Sequence, residues 1–451
     1  NVVLPDRITD NLESFRRVFR SHHLSGEVVF AHKASRSSAL VRQLAATDAA
    51  IDVASLGELQ HVLGAGFGSD RIVATGPKNP GFLWLAALTG AVVHVDGRGE
   101  LEELVGLVRK HSLERVRILL RLSGFEAPGP KMRSRGSRFG TGPGSLGKLL
   151  DAVESHQDVV EPIGTAFHLD TTSLQEKAVA FEGCLQAIDA LRDRGLRPYV
   201  LDIGGGFGVD YLAHGAEWDR YTTELTAAVL GKRGPLTWAG HGYGLRVENG
   251  TLRGALGLYP AHRPVAGAAY LDALLSSPAP TLGRPLGTLL LESLCDLYVE
   301  PGRALTDQCG LTLARVLEVR CTDDGEYLVQ VAAKATDIGL EAHGVLVDPV
   351  LLPREGRPER GEVPVGVYLT GSLCLETDLI TRRTVFLPRL PQPGDLLGFV
   401  NTAGYCMDFV ATNAQQQPTA HKVAVYQDAG DWHWCLDEQY WPISRHERQQ
   451  T

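Results

Sequence analysis

The stretch Val28-Val29-Phe30-Ala31-His32-Lys33-Ala34-Ser35 decides how this chain is read. Its apolar run has the length and composition of a buried strand, and the polar residues after it mark the passage into a helix that Ser35 would help to cap. Lys33 stands at that passage. A lysine there is either an ordinary solvated charge or an amine presented at a strand end, and the surrounding sequence bears on which.

Outward from this stretch the same alternation repeats. Helical apolar spacing at Leu12, Phe15, Val18 and Phe19 precedes it. Short, nearly continuous apolar runs at 50–54, 71–74, 91–96 and 117–122 read as strands, separated by amphipathic helices at 56–63 and 101–108, the pattern of parallel strands covered by helices. The segment 124–147, rich in Gly, Pro, Arg and Lys, reads as a long loop. The rhythm returns with 163–169, a helix over about 174–191, and a strand at 199–203 that runs into Gly204, Gly205 and Gly206. The region 231–285 has no clear pattern, and the apolar run 289–299 leads to Glu300-Pro301-Gly302-Arg303. After about residue 306 the texture changes to β-branched, alternating segments, with Asp323-Asp324-Gly325 as a hairpin turn. The expected fold is an α/β barrel of TIM type over 1–306, followed by a mostly antiparallel β domain over 307–451, with a polar tail at 447–451 that frays.

Composition limits the function. With 44% hydrophobic and 22% charged residues in 451, the chain is globular and long enough for two cores. A formal net charge of −9 argues against a general nucleic-acid or anionic-membrane binder, while leaving room for a local basic pocket. The seven cysteines are scattered, with no Cys-x-x-Cys pair to suggest zinc, and fit reduced thiols in a cytoplasm; no metal is expected. No apolar run approaches the roughly 18 residues of a membrane span, and residues 1–10 lack a signal pattern, so a cytoplasmic protein is expected.

Asp202-Ile203-Gly204-Gly205-Gly206-Phe207-Gly208, coming after a strand, is either a plain tight turn or a loop whose backbone N–H groups meet an anion. Arg303 is either a second anion ligand or half of a structural ion pair.

Taken together, Ala31-His32-Lys33-Ala34-Ser35, Asp52-Val53-Ala54-Ser55-Leu56-Gly57-Glu58-Leu59, Phe167-His168-Leu169, the 202–207 loop, Glu300-Pro301-Gly302-Arg303, Cys374-Leu375-Glu376-Thr377-Asp378 and Ala403-Gly404-Tyr405 occur in the order seen in the ornithine/diaminopimelate/arginine decarboxylase family of pyridoxal-phosphate enzymes. The chain resembles that family, with its alanine racemase-like barrel, over nearly its whole length, and within it a poorly characterised bacterial branch. The resemblance implies that Lys33 forms the Schiff base with pyridoxal 5′-phosphate, that Glu300 meets the pyridinium nitrogen, and that His168 stacks on the ring. It implies phosphate contacts from Gly204, Gly205, Gly206, Gly302, Arg303 and Tyr405, and from Thr171, where the family usually has serine. Asp52 and Arg121 would support Lys33 and the ring, or simply be core ion pairs. Cys374 would be donated across a homodimer interface and reprotonate the substrate carbon after carbon dioxide leaves, the alternative being a buried small hydrophobe.

Asp378, with Glu376, would face the distal amine of a basic substrate. The stretch 334–343 lacks the arginine with which diaminopimelate enzymes hold a distal carboxylate. Asp337 and Glu341 there either bind a cation or are solvated helix-face charges. Tyr243, Arg246, Tyr259 and His262 are candidate pocket walls. The implied activity is decarboxylation of an amino acid with a polar or cationic side chain. The rivals are an amino-acid racemase or epimerase, disfavoured by Glu300, and an idle homologue that binds a protein partner.

Overall fold

Eight short strands close into a parallel barrel in a computed structural model that describes residues 1–125, 137–357 and 363–442. The strands are β1 (Gly26–Ala31), β2 (Ala50–Val53), β3 (Ile72–Ala74), β4 (Val92–Val95), β5 (Val116–Leu122), β6 (Val160–Phe167), β7 (Val200–Asp202) and β8 (Asp296–Val299). They pair in chain order, and β8 closes the ring between β7 and β1. Each is buried almost throughout, which explains why the sequence shows apolar runs and no two-residue alternation.

α1 (Pro5–Ser21) precedes the first strand, and the helices between the next ones are α2 (Ser38–Ala45), α3 (Leu56–Gly64), α4 (Pro80–Thr89), α5 (Arg98–His111), α6 (Pro143–Ser155) and α7 (Leu174–Arg192). Ser37 caps α2 by accepting the Leu40 N–H at 3.3 Å. The capping role expected of Ser35 therefore falls two residues later, and Ser35 instead accepts the Ser37 N–H at 3.4 Å. The sequence pattern also hides α4, whose apolar residues run on without a polar face. Its start is nevertheless marked by Asn79, which caps Phe82 N–H, and by Pro80 in the first turn. The expected loop at 124–147 ends early, because Pro143 opens α6; its stretch 126–136 and the tail 447–451 lie outside the described residues.

The chain clusters into two compact units. The barrel unit is built mainly from Ile8–Gly208 and Ala266–Leu305, and includes two further helices, α9 (Gly267–Ser276) and α10 (Leu286–Glu292). The other unit joins Asn1–Arg7 and Val209–Val265 to Thr306–Tyr440, so that 209–265, which lies before the 306 boundary read from the sequence, clusters with the β residues.

That unit holds a nine-stranded, largely antiparallel sheet. Its centre is the long strand Gly310–Cys321, paired with Tyr327–Val331 through the expected turn at Gly325, which has φ +83°. Its core is aliphatic, around Val316, Val329, Val331, Leu369, Leu387 and Leu397. The region 231–285, unpatterned in sequence, contains the hairpin Leu245–Glu248 with Thr251–Gly254 as well as α9. α8 (Gly215–Val229) packs by Leu225 on Tyr243 and Leu346. None of the seven cysteines forms a disulfide, and among the described residues no helix is long and apolar enough to cross a membrane.

Candidate active site

The site follows from the two-residue period of the barrel strands. Val29, Ala50, Val73, Val92, Leu119, Ile163, Ala166 and Val200, with the partly buried Tyr298 against them, come from all eight strands and none from a helix, and form the apolar plug of the barrel. A residue two positions further along a strand faces the same way. That step leads from Ala50 to Asp52, Val73 to Thr75, Val92 to His94, Leu119 to Arg121, Ala166 to His168, Val200 to Asp202 and Tyr298 to Glu300, while Lys33 follows the end of β1 by two residues. The C-terminal mouth of the barrel is therefore a ring of polar groups above an apolar floor. Lys33, Thr75, His94, Arg121, His168 and Glu300 line one small cavity there, with Ala166 and Phe167.

Lys33 occupies a single helical turn, His32–Ala34, directly after β1. Its neighbour His32 points the other way and is pinned there: His32 Nε2 lies 2.8 Å from His61 Nδ1, and His32 Nδ1 lies 3.3 Å from Glu58. Glu58 in turn accepts the Ala54 N–H at 2.6 Å. The turn that presents Lys33 is thus tied to α3.

Opposite it is a buried charge cluster. His94 Nε2 is 3.4 Å from Asp202, and His94 Nδ1 is 4.0 Å from Glu300. Burial opposes a charge on His94, but Asp202, Glu300 and Asp52 outweigh it and raise its pKa, favouring an imidazolium. Burial also works against the Glu300 carboxylate, yet the nearby His94 ring and the Lys33 amine help to hold it below the ordinary range. Asp52 is pushed up, first by burial and then by the Glu300 charge, and accepts the Thr75 hydroxyl at 2.6 Å. His168 is the neutral ring. Burial lowers its pKa, its Nδ1 accepts the Gly205 N–H at 3.2 Å, and it stands 3.8 Å from Glu300, beyond hydrogen-bond length. Arg121 stacks its guanidinium 4.8 Å from the Phe139 ring centroid and reaches Asp96 at 3.8 Å.

The glycine loop borders this cluster. Gly204 has φ +62°, and a Cβ there would fall 2.6 Å from the Phe167 carbonyl oxygen. Its N–H goes to Asp202 at 2.8 Å, and its carbonyl accepts from Glu300 N–H at 2.9 Å. The N–H groups of Gly206, Phe207 and Gly208, by contrast, find no acceptor among the described residues. Thr171 accepts the Ser173 N–H at 3.1 Å at the entry to α7, while Gly302 and Arg303 form the turn after β8, with Gly302 buried and Arg303 half-buried.

A pyridoxal phosphate fits this chemistry. Among the described residues Glu300 Oε1 is buried without a hydrogen-bond partner, as a ring-nitrogen donor would require, and the unengaged N–H groups of the loop suit a phosphate.

The remaining expected residues belong to the β unit. Cys374 and Glu376 are exposed on a loop and line a polar pocket with Glu318, Arg320, Gln330 and Trp238. Asp378 is put to a different use from the expected substrate contact. Its two oxygens accept backbone N–H groups of Ala335 and Leu373, both at 2.8 Å, so it braces the loop from beneath. Asp337 is not solvated either: it is buried, accepts the Lys334 N–H at 2.9 Å and pairs with that residue's ammonium at 3.3 Å. Glu341 receives the Tyr243 hydroxyl at 2.7 Å. Tyr259 receives the Val209 N–H at 2.7 Å, while His262 stands 3.5 Å from Asp210 and Arg246 pairs with Glu248, so these expected pocket walls make contacts inside their own unit. Tyr405, at φ +68°, packs its ring against His343 and Phe409.

His94, Thr75 and Asp202 were not singled out as site residues from the sequence. The signal was present: each stands two places beyond an interior apolar residue at a strand end.

The fold and this mouth define the class of α/β-barrel proteins that hold a ligand at the strand ends. Residues 6–250 match the model of the pyridoxal-dependent decarboxylases, pyridoxal binding domain. The chain belongs to that family, which includes the ornithine, arginine and diaminopimelate decarboxylases. It is 29% identical to the uncharacterized protein y4yA of Sinorhizobium fredii over 95% of this chain and 88% of that one. Its identity to a diaminopimelate decarboxylase of Actinosynnema pretiosum is 28%, over 86% of this chain and 76% of that one. The fold is similar to that of the M. jannaschii diaminopimelate decarboxylase in co-complex with L-lysine, with a TM-score of 0.71, 17% identity, and coverage of 97% and 88%.

Proposed function

We propose that the chain is a pyridoxal-phosphate-dependent decarboxylase of an amino acid with a polar or cationic side chain, working as a homodimer with shared active sites. The carrying observation is the cavity in which Lys33, His168, Arg121 and an ionised Glu300 meet beside a loop of unengaged backbone N–H groups. The bound cofactor supplies an electron sink for the pair left on the substrate α-carbon when carbon dioxide departs.

The residues divide the work. Lys33 Nζ would hold the cofactor through its aldehyde carbon, and His168, neutral and tethered to Gly205, would support its ring. Glu300 keeps a proton on the ring nitrogen. His94, as an imidazolium between Glu300 and Asp202, balances the buried carboxylates so that Glu300 stays charged. Asp52 and Arg121 buttress the wall around Lys33. Gly204, Gly205, Gly206, Gly302 and Arg303, with Thr171 and Tyr405, hold the phosphate.

The β domain contributes the second half. Cys374 Sγ, exposed on its loop, acts in the site of the other subunit and returns a proton to the substrate α-carbon. Glu376, the exposed carboxylate beside it, meets the distal amine, and Asp378 holds the loop in shape. The test is carbon dioxide release from a panel of L- and D-amino acids by the wild type and by Lys33→Ala. Release that depends on Lys33 supports the reading. Inverted stereochemistry without release would assign a racemase, and persistence of release in the variant would refute the role of Lys33.

A further inference from the structure

Beneath the glycine loop lies a fully buried lysine that the proposed chemistry leaves unused. Lys177, on the first turns of α7, is 0% exposed. Its Nζ donates to the Gly205 carbonyl and sits 4.9 Å from the Phe207 ring centroid and 5.5 Å from that of Tyr270. Burying an amine among two aromatic rings is costly, and an apolar side chain would fill the space at less expense. The amine's hydrogen bond to the Gly205 carbonyl ties it to the glycine loop.

That carbonyl belongs to the peptide whose other end is the Gly206 N–H, one of the donors without an acceptor among the described residues. The described peptides are all trans, so this N–H points away from the carbonyl and from the lysine. A cation on the carbonyl side polarises the peptide and strengthens the donor on the opposite side. We propose that Lys177 is the buried positioning cation of the anion site at the glycine loop, acting through the Gly205–Gly206 peptide, and that binding of a dianion at that loop is linked to uptake of a proton by Lys177. Only the identification of the anion as the cofactor phosphate rests on the proposed function.

The titratable groups around Lys177 are Asp202 at the end of β7, Glu300 at the end of β8 and the Tyr270 phenol on α9. Burial brings its amine down to about 7 despite the two carboxylates, so a further negative charge at the loop restores the ammonium near neutral pH.

The test uses sulfate, a dianion that does not titrate near neutrality, added to unbuffered protein at pH 8 against sodium chloride of equal ionic strength. The wild type takes up protons and the solution pH rises. Lys177→Gln, which keeps a donor for the Gly205 carbonyl and removes the titrating charge, takes up none and binds pyridoxal phosphate about tenfold more weakly, the scale of one charge-assisted hydrogen bond. Equal uptake and affinity in Lys177→Gln, or no uptake by the wild type, would overturn the inference. If Lys177→Gln fails to fold, Lys177→Arg decides: it keeps the affinity and loses the uptake, and retained uptake would again overturn the linkage. Sulfate-linked uptake that needs Lys177, in a protein that takes up no pyridoxal phosphate, would sink the proposed function and leave this inference standing.

Discussion

The barrel mouth and the Cys374 loop are two carboxylate-bearing regions of the same chain, built in opposite ways. In the barrel, Asp52 and His94 ride on β2 and β4, and His168 and Glu300 directly follow the last residues of β6 and β8, each two places beyond a residue of the apolar plug. In the β unit, Cys374 and its neighbouring carboxylate Glu376 sit on an exposed loop that Asp378 braces through two backbone N–H groups. Gly371 shows how tight that brace is, since a Cβ there would fall 2.1 Å from an Asp378 oxygen. Strands thus position the polar groups of the barrel mouth, and a braced loop carries Cys374.

Substitutions should separate the two regions. The largest effect is expected at Glu300→Ala, which removes the buried carboxylate and should lower kcat by about 1,000-fold, the scale of losing one preorganised electrostatic contact. A kcat within tenfold of wild type would mean that the ring nitrogen is held elsewhere. Next, Cys374→Ala should slow turnover about 100-fold while leaving cofactor absorbance unchanged, because only a proton donor is lost. Loss of the absorbance as well would tie the loop to cofactor binding and blur the division drawn here.

Asp378→Ala leaves two backbone N–H groups without acceptors and should cost roughly 2 kcal/mol, read as a lower denaturant midpoint. An unchanged midpoint would remove the brace from the account. The smallest change in activity is expected at Glu376→Gln, which should raise KM for a cationic substrate by up to about fivefold at unchanged kcat, as befits an exposed ion pair.

A pH series tests the barrel alone. Asp52, raised first by burial and then by Glu300, keeps its proton in the folded chain at pH values where an ordinary aspartate, at 3.8, has lost it. From that value upward the folded state binds more protons at this group than the unfolded state, so the group's contribution to stability falls as pH rises through the weakly acidic range. Asp52→Asn, which can still accept the Thr75 hydroxyl, should remove that part of the slope in urea midpoints measured against pH. An identical slope in the variant would show that Asp52 titrates normally.

The sequence and the structure agree most where local physics was decisive. Apolar runs such as 117–122 read as buried parallel strands, and the position of Lys33 at a strand end could be read directly. The texture change after residue 306 likewise announced a β domain. Other features depended on tertiary packing. Asp378 reads as a contact for a substrate amine, and Asp337 as a cation ligand or a solvated charge, because nothing in their sequence neighbourhood shows that backbone N–H groups of their own unit come to meet them. Lys177 reads as one polar position on an amphipathic helix until the Gly205 carbonyl is found beneath it. The helix α4 escaped notice because both of its faces are apolar, although its cap was in plain view.

The central claim is that Lys33 holds the cofactor at the barrel mouth. The most direct test is to load the protein with pyridoxal phosphate, reduce it with borohydride and map the modified lysine by peptide mass spectrometry. The account predicts a single phosphopyridoxyl adduct on Lys33; an adduct on another lysine, or none, would contradict it.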